Sequence, residues 1–152
     1  MSNTVAMSGS DTIMINTRIL ADLAEGDCVK LTYPNEIASV KTGKNGNSIY
    51  GFNATGANAE VELRVVRGSS DDKFLNGLLA QQNGNFAGFV LLAGEFIKQM
   101  GDGTGKILND THALSGGIFT KAIEAKSNVE GDTEQSLSVY HMKFSSAQRT
   151  LT

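Results

Sequence analysis

The sequence predicts a mainly β chain, an antiparallel barrel or sandwich with one short helix packed on the outside. Three observations carry that expectation. Apolar residues alternate with polar ones along several short segments, glycine is frequent (17) while proline occurs once, and only one segment has helical spacing. The 152 residues suit one domain, taken as 1–152, on the prior of roughly 100–200 residues per domain. A chain of this length buries enough apolar surface to fold without a metal or disulfide.

Residues 1–10 are small and polar and read as a flexible arm. Ile13, Ile15 and Ile19 at even spacing, with Thr12, Asn16 and Arg18 between them, predict a half-buried strand. Val29, Leu31 and Tyr33 predict a second, stopped by Pro34. Ile37 to Lys41 and Ser48 to Ala54 flank Asn45-Gly46, a strong hairpin signal. Ala59 to Arg67 alternates most cleanly, with Val61, Leu63 and Val65 on one side and Glu60, Glu62 and Arg64 on the other.

Ser69 or Ser70 then caps a helix of about three turns. Asp71 and Asp72 suit its positive end, Phe74, Leu75, Leu78 and Leu79 form its apolar stripe, and Asn83-Gly84 ends it. Phe86 to Gln99 is apolar on both faces and reads as a long strand buried on both sides, with a helix as the alternative. The turn Gly101 to Gly105 follows, then strands Ile107 to Ala113 and Ile118 to Ala125 joined at Gly116-Gly117. Asn128 to Gln135 reads as a polar loop. Leu137 to Ser145, with Tyr140, Met142 and Phe144 on one face, completes the domain.

Composition excludes several classes. A net charge of −3 argues against a dedicated nucleic-acid binder. No segment approaches the ~20 apolar residues of a membrane helix. Met1 to Ser10 lacks a secretory signal's basic start and apolar run, which points to folding in a cytoplasm. The single cysteine allows no internal disulfide.

Motifs for chemistry fail on residue type or spacing. A phosphate loop ending at Gly105-Lys106 would need glycine where Met100 stands and a hydroxyl where Ile107 stands. A calcium loop starting at Asp102 would place the ammonium of Lys106 among its ligands. Cys28 with His112 or His141 is the one conceivable thiol pair, and a lone strand cysteine more often packs. Asp71 and Asp72 are adjacent on a helix and diverge by about 100°, so they do not share a proton easily. Arg64 and Arg67 flank a strand end and read as a solvated face, or as partners of a neighbouring subunit. No catalytic, cofactor-binding or metal site emerges, no cofactor is expected, and the chain is expected not to be an enzyme. The apolar run at 86–99 exceeds what a small monomer easily hides, and large apolar surface outside a core marks an interface.

The chain resembles the tail tube proteins of contractile-tailed bacteriophages. The resemblance rests on Ser48-Ile49-Tyr50-Gly51-Phe52-Asn53-Ala54-Thr55-Gly56, the amphipathic strand Ala59 to Val66, and Arg67-Gly68-Ser69-Ser70-Asp71-Asp72-Lys73-Phe74-Leu75-Asn76 leading into the single helix. In order of elements it spans about residues 10–150. The family is related to the tubes of type VI secretion systems and R-type bacteriocins, and its fold is a β barrel with an outer helix. The resemblance implies a structural virion protein, made in the host bacterial cytoplasm and located in the phage tail. Hexameric rings would stack into a hollow tube, with inner strands of neighbours joined around the lumen.

Implied partners are further copies of the chain, the tail sheath protein, the baseplate and tail terminator proteins, and the tape-measure protein. Genomic DNA would pass the lumen without sequence-specific binding, and no membrane is involved. Ser48 to Ala54 and Ala59 to Val66 are the expected lumen strands, and residues 41–47 and 1–10 would reach the next ring. Two other readings compete: a single-ring tail terminator or baseplate hub component, and a non-enzymatic β-barrel binding module.

Overall fold

The computed structural model describes residues 6–23, 28–125 and 137–152; for 6–10 and 54–55 it describes the backbone alone. It is mainly β with one helix, and every strand pairing is antiparallel. The strands are β1 (Ala6–Ile15), β2 (Arg18–Ile19), β3 (Val29–Thr32), β4 (Ala38–Thr42), β5 (Ser48–Phe52), β6 (Ala59–Val66), β7 (Leu92–Gly101), β8 (Ile107–Phe119), β9 (Glu124–Ala125) and β10 (Leu137–Leu151). The helix, α1, spans Ser70–Gly84, and a 3-10 turn covers Ala54–Ala57.

One sheet runs in the order β2-β1-β7-β8-β10-β6-β3, with β9 also paired to β10. Strands β4 and β5 form a separate two-stranded ribbon. Among the described residues β2 and β3 end the large sheet without pairing to each other, so its hydrogen-bonded ladder does not close.

The core follows from alternation. Val61, Leu63 and Val65 of β6 are buried with Tyr140, Met142 and Phe144 of β10. Ile13 and Ile15 of β1, Leu92 and Phe96 of β7, and Leu114 and Phe119 of β8 extend the same layer, and Leu75 and Leu79 lay α1 on it. Each fully buried leucine contributes about 1.5–3 kcal/mol. Ser69 caps α1 by accepting a hydrogen bond from Asp72 N at 3.2 Å, as its place before two aspartates suggests. The helix runs four turns rather than three.

Four expectations need correction. Ala6 to Ser10 is the start of β1 and not a loose arm; residues 1–5 lie outside the described residues, as does the expected loop at 128–135. The strand expected from Ile13 to Ile19 is broken at Asn16-Thr17, where φ is +48° and +70°. This two-residue turn carries no glycine, so glycine content could not reveal it. Asn16 compensates by exchanging bonds with Ala93: its N–H donates to Ala93 O at 2.8 Å and its Oδ1 accepts from Ala93 N at 2.9 Å.

The expected joint at Gly116-Gly117 is continuous strand. The glycines are there for space: a Cβ on Gly117 would collide with the buried Phe144 ring across the ladder, and Gly116 (φ +66°) faces Ser145. Finally, the run from Phe86 to Gln99 is not one buried strand. Residues 86–91 form a connection with Phe86, Val90 and Leu91 exposed, and β7 begins at Leu92.

Two stability effects follow. Gly117→Ala overpacks the core against Phe144 and is expected to cost about 1–3 kcal/mol in chemical denaturation. Thr17→Gly removes a β-branched residue from left-handed backbone and is expected to raise stability by about 1 kcal/mol, read as a higher thermal midpoint.

Candidate functional site

The described surface carries an exposed two-stranded ribbon and two strand edges that no other described strand covers. The ribbon register pairs Ala38 with Phe52, Val40 with Tyr50 and Thr42 with Ser48. Opposed residues share a face, so Ala38, Val40, Tyr50 and Phe52 lie together, while Ser39, Lys41, Ile49 and Gly51 lie on the other side. That first face has no core beneath it: Tyr50 is 79% and Phe52 87% exposed. The Asn45-Gly46 turn forms as its sequence indicates, with Gly46 at φ +86°.

The ribbon is held at its base. Asn53 N–H donates to Ile37 O at 2.9 Å, and Asn53 Nδ2 donates to Glu36 O at 2.7 Å. Tyr33, just before the ribbon, shares a 2.9 Å hydrogen bond with His112 Nδ1. Asp110 lies 3.6 Å from His112 Nε2 and accepts both arms of the Arg149 guanidinium at 2.8 and 2.9 Å. The Arg149 guanidinium holds the Asp110 carboxyl below its ordinary range, against the opposing effect of burial. Burial keeps His112 below its usual pKa, so the imidazole is neutral at pH 7 and the cluster acts as a strut between β8, β10 and the ribbon.

The sheet offers two strand edges. The outer side of β1 is paired by β2 only at Met14 and Ile15, with one further bond from Leu20 N to Ile13 O, which leaves 6–12 without a neighbour among the described residues. Strand β10 pairs with β6 only as far as Phe144, while on its other side it follows β8 to Leu151. Asn109 and Thr152 exchange both backbone bonds. By alternation Ala147, Arg149 and Leu151 turn their N–H and C=O groups away from β8, toward a side with no strand among the described residues. Unpaired edges of this length are templates for another strand.

The residues whose types suggest chemistry are structural or scattered. Gly101 to Lys106 is the β7–β8 turn, held by Asp102 Oδ1 accepting from Thr104 N, Thr104 Oγ1 and Lys106 N. Cys28 lies half-buried beside β3 and shares an open groove with His112 and Asp110. His141 is engaged with Glu124 at 3.1 Å, and Arg64 with Glu62 at 2.9 Å. Among the described residues no three His, Cys, Asp or Glu side chains gather as metal ligands. No helix there is long and apolar enough to cross a membrane.

Asp71 and Asp72 do more than complement the helix dipole, and they point to different neighbours. Asp71, almost fully buried, accepts from Ala21 N at 2.6 Å, Asp22 N at 2.7 Å and Arg18 Nε at 3.1 Å. Arg18 also lies over the Phe74 ring, 5.1 Å from its centroid. Asp72 accepts from Gly68 N at 2.8 Å and from the Tyr140 hydroxyl at 2.6 Å. Burial, and then the Asp72 carboxylate, push the Tyr140 hydroxyl far above its ordinary pKa, so it stays a donor.

No protein-family model matches the chain, and no curated protein matches it.

Proposed function

We propose that the chain is a structural subunit that assembles with identical copies into stacked rings, forming the inner tube of a contractile phage tail and the conduit for DNA ejection. The observation that carries this reading is the pair of unpaired strand edges, 6–12 of β1 and 145–151 of β10, at opposite sides of one four-stranded end of the sheet. Laying β1 of one copy beside β10 of the next continues the ladder. Repeated by rotation, that contact closes into a ring and leaves neither of these two edges exposed. The resemblance of residues 48–76 to tail tube proteins supplies the ring size of six and the tube.

The lumen is assigned to the face of this sheet end turned away from the core. Its cross-strand rows are Thr12, Ile97, Thr111 and Thr150, then Met14, Glu95, Ala113 and Gln148. These rows hold one carboxylate and no cation. A wall of hydroxyl and apolar side chains with a ring of Glu95 carboxylates repels phosphate weakly and offers DNA nothing to grip. The strands first expected at the lumen fit it less well. Strand β5 belongs to the ribbon, and β6 lies between β10 and β3 with its apolar side in the core.

Negative-stain electron microscopy of the purified chain tests the reading. Rings and tubes of uniform width are expected. Single rings that never stack would favour a tail terminator or hub, and a monodisperse monomer at high concentration would favour a binding module and overturn the proposal.

A further inference from the structure

Two apolar patches remain uncovered within one chain. One is the ribbon face of Val40, Tyr50 and Phe52. The other is the connection after α1, where Phe86 is 66% and Val90 80% exposed, beside Leu91. They lie apart along the fold. The ribbon is tethered through Tyr33 to His112, whereas the connection enters β7 at Leu92, opposite Gly117. Five residues of β8 separate those points, roughly 16 Å of strand. Neither patch covers the other in the same chain.

From this we infer that the ribbon of one copy seats its Val40–Tyr50–Phe52 face on the Phe86–Val90–Leu91 connection of a second copy, and that this contact stacks one ring on the next. The inference rests on the self-assembly reading and names the surface that receives the ribbon.

Charge favours this pairing over two ribbons meeting each other. Residues 37–59 hold Lys41 and Lys44 and no acid, on a chain whose total is −3. Two ribbons would therefore repel, while the ribbon and the body of another copy attract. The receiving surface matches in detail. Residues 74–94 contain no charged side chain, so an apolar face docks there without stripping water from an ion. The α1 C-terminus lies immediately before the connection and has no basic residue in its last turn. Its carbonyls carry partial negative charge, which Lys44 in the turn of the arriving ribbon complements. The contact joins unlike surfaces, so repetition gives an open stack and not a closed pair.

Cross-linking between two separately purified variants tests it. With Cys28→Ser as background, Tyr50→Cys protein is mixed with Val90→Cys protein and oxidised with diamide. All these side chains are exposed or half-buried, so folding is retained. A disulfide-linked pair at twice the 16.1 kDa chain mass is expected in the mixture and in neither protein alone. Replacing Val90→Cys by Ile107→Cys, which is also exposed, is expected to give no such pair. Lys44→Glu in the Tyr50→Cys protein is expected to lower the yield several-fold, as is raising the salt. Tubes visible by microscopy without the mixed cross-link would overturn this contact and leave self-assembly standing. A Tyr50→Cys protein that cross-links to itself as readily would also overturn it. Absence of any association would remove both.

Discussion

Asp71→Ala is expected to lower the stability of the folded chain by about 3 kcal/mol, a fall of roughly 10 °C in thermal midpoint for a domain of this size. Its carboxylate is almost fully buried and is the acceptor for two backbone N–H groups, those of Ala21 and Asp22, that lead out of β2. Removing it leaves both donors without their protein partner at a part-buried site, and frees Arg18 from its bond at 3.1 Å. The Arg18 pairing contributes little of this, because that side chain is 41% exposed.

The same carboxylate gives a pH signature. Burial alone would raise its pKa, but the N–H groups of Asp22 and Ala21 and the Arg18 guanidinium outweigh burial and hold it below the ordinary value. The unfolded chain therefore binds the proton first as pH falls. This contribution is complete above the ordinary aspartate range near pH 4 and fades below it, as the pH drops through the folded value. Urea denaturation at a series of pH values is expected to show a smaller loss of stability below pH 4 in Asp71→Asn than in the unmodified chain.

Gln82→Leu is the second large effect, at about 3 kcal/mol in chemical denaturation. Strand β7 stops at Leu92 opposite Gly117, so β8 runs past it with an unpaired outer side. Gln82, in the last turn of α1, takes the place of the missing strand. Its Nε2 donates to Phe119 O at 2.8 Å and its Oε1 accepts from Phe119 N at 2.8 Å, both buried. A leucine fills the volume but strands both backbone groups. A loss below 0.5 kcal/mol would show that water replaces the amide and that α1 is not fastened there.

Strand β6 was readable in the sequence because its alternation reports burial directly: Val61, Leu63 and Val65 are in the core and their neighbours are not. The ribbon turn and the α1 start were readable because Asn45-Gly46 and Ser69 act on their own backbone. Long-range devices were not. Gln82 is polar and buried, and nothing in its neighbours reveals that Phe119 waits 37 residues away.

Gly116 and Gly117 suggest a turn, but Gly117 makes room for Phe144 and Gly116 faces Ser145 within a continuous strand. The apolar run at 86–99 misled for a related reason. Hydrophobicity shows that a residue avoids water and not what covers it, so the exposed Phe86, Val90 and Leu91 resembled the buried Leu92 and Phe96. For the candidate site, the sequence indicated that apolar surface was in excess. It misplaced part of that surface in a strand, because residues 86–91 form a connection and β7 begins only at Leu92.

Amide hydrogen exchange, followed by mass spectrometry across a dilution series of the intact chain, is the most direct measurement of strand sharing between copies. Slow exchange at 6–12 and 145–151 is expected at high concentration and fast exchange on dilution, while β6 and the middle of β8 stay protected throughout. If both edges exchange equally slowly in the dilute, monomeric chain, each is already covered from within, and the chain is not a wall element built from its own copies.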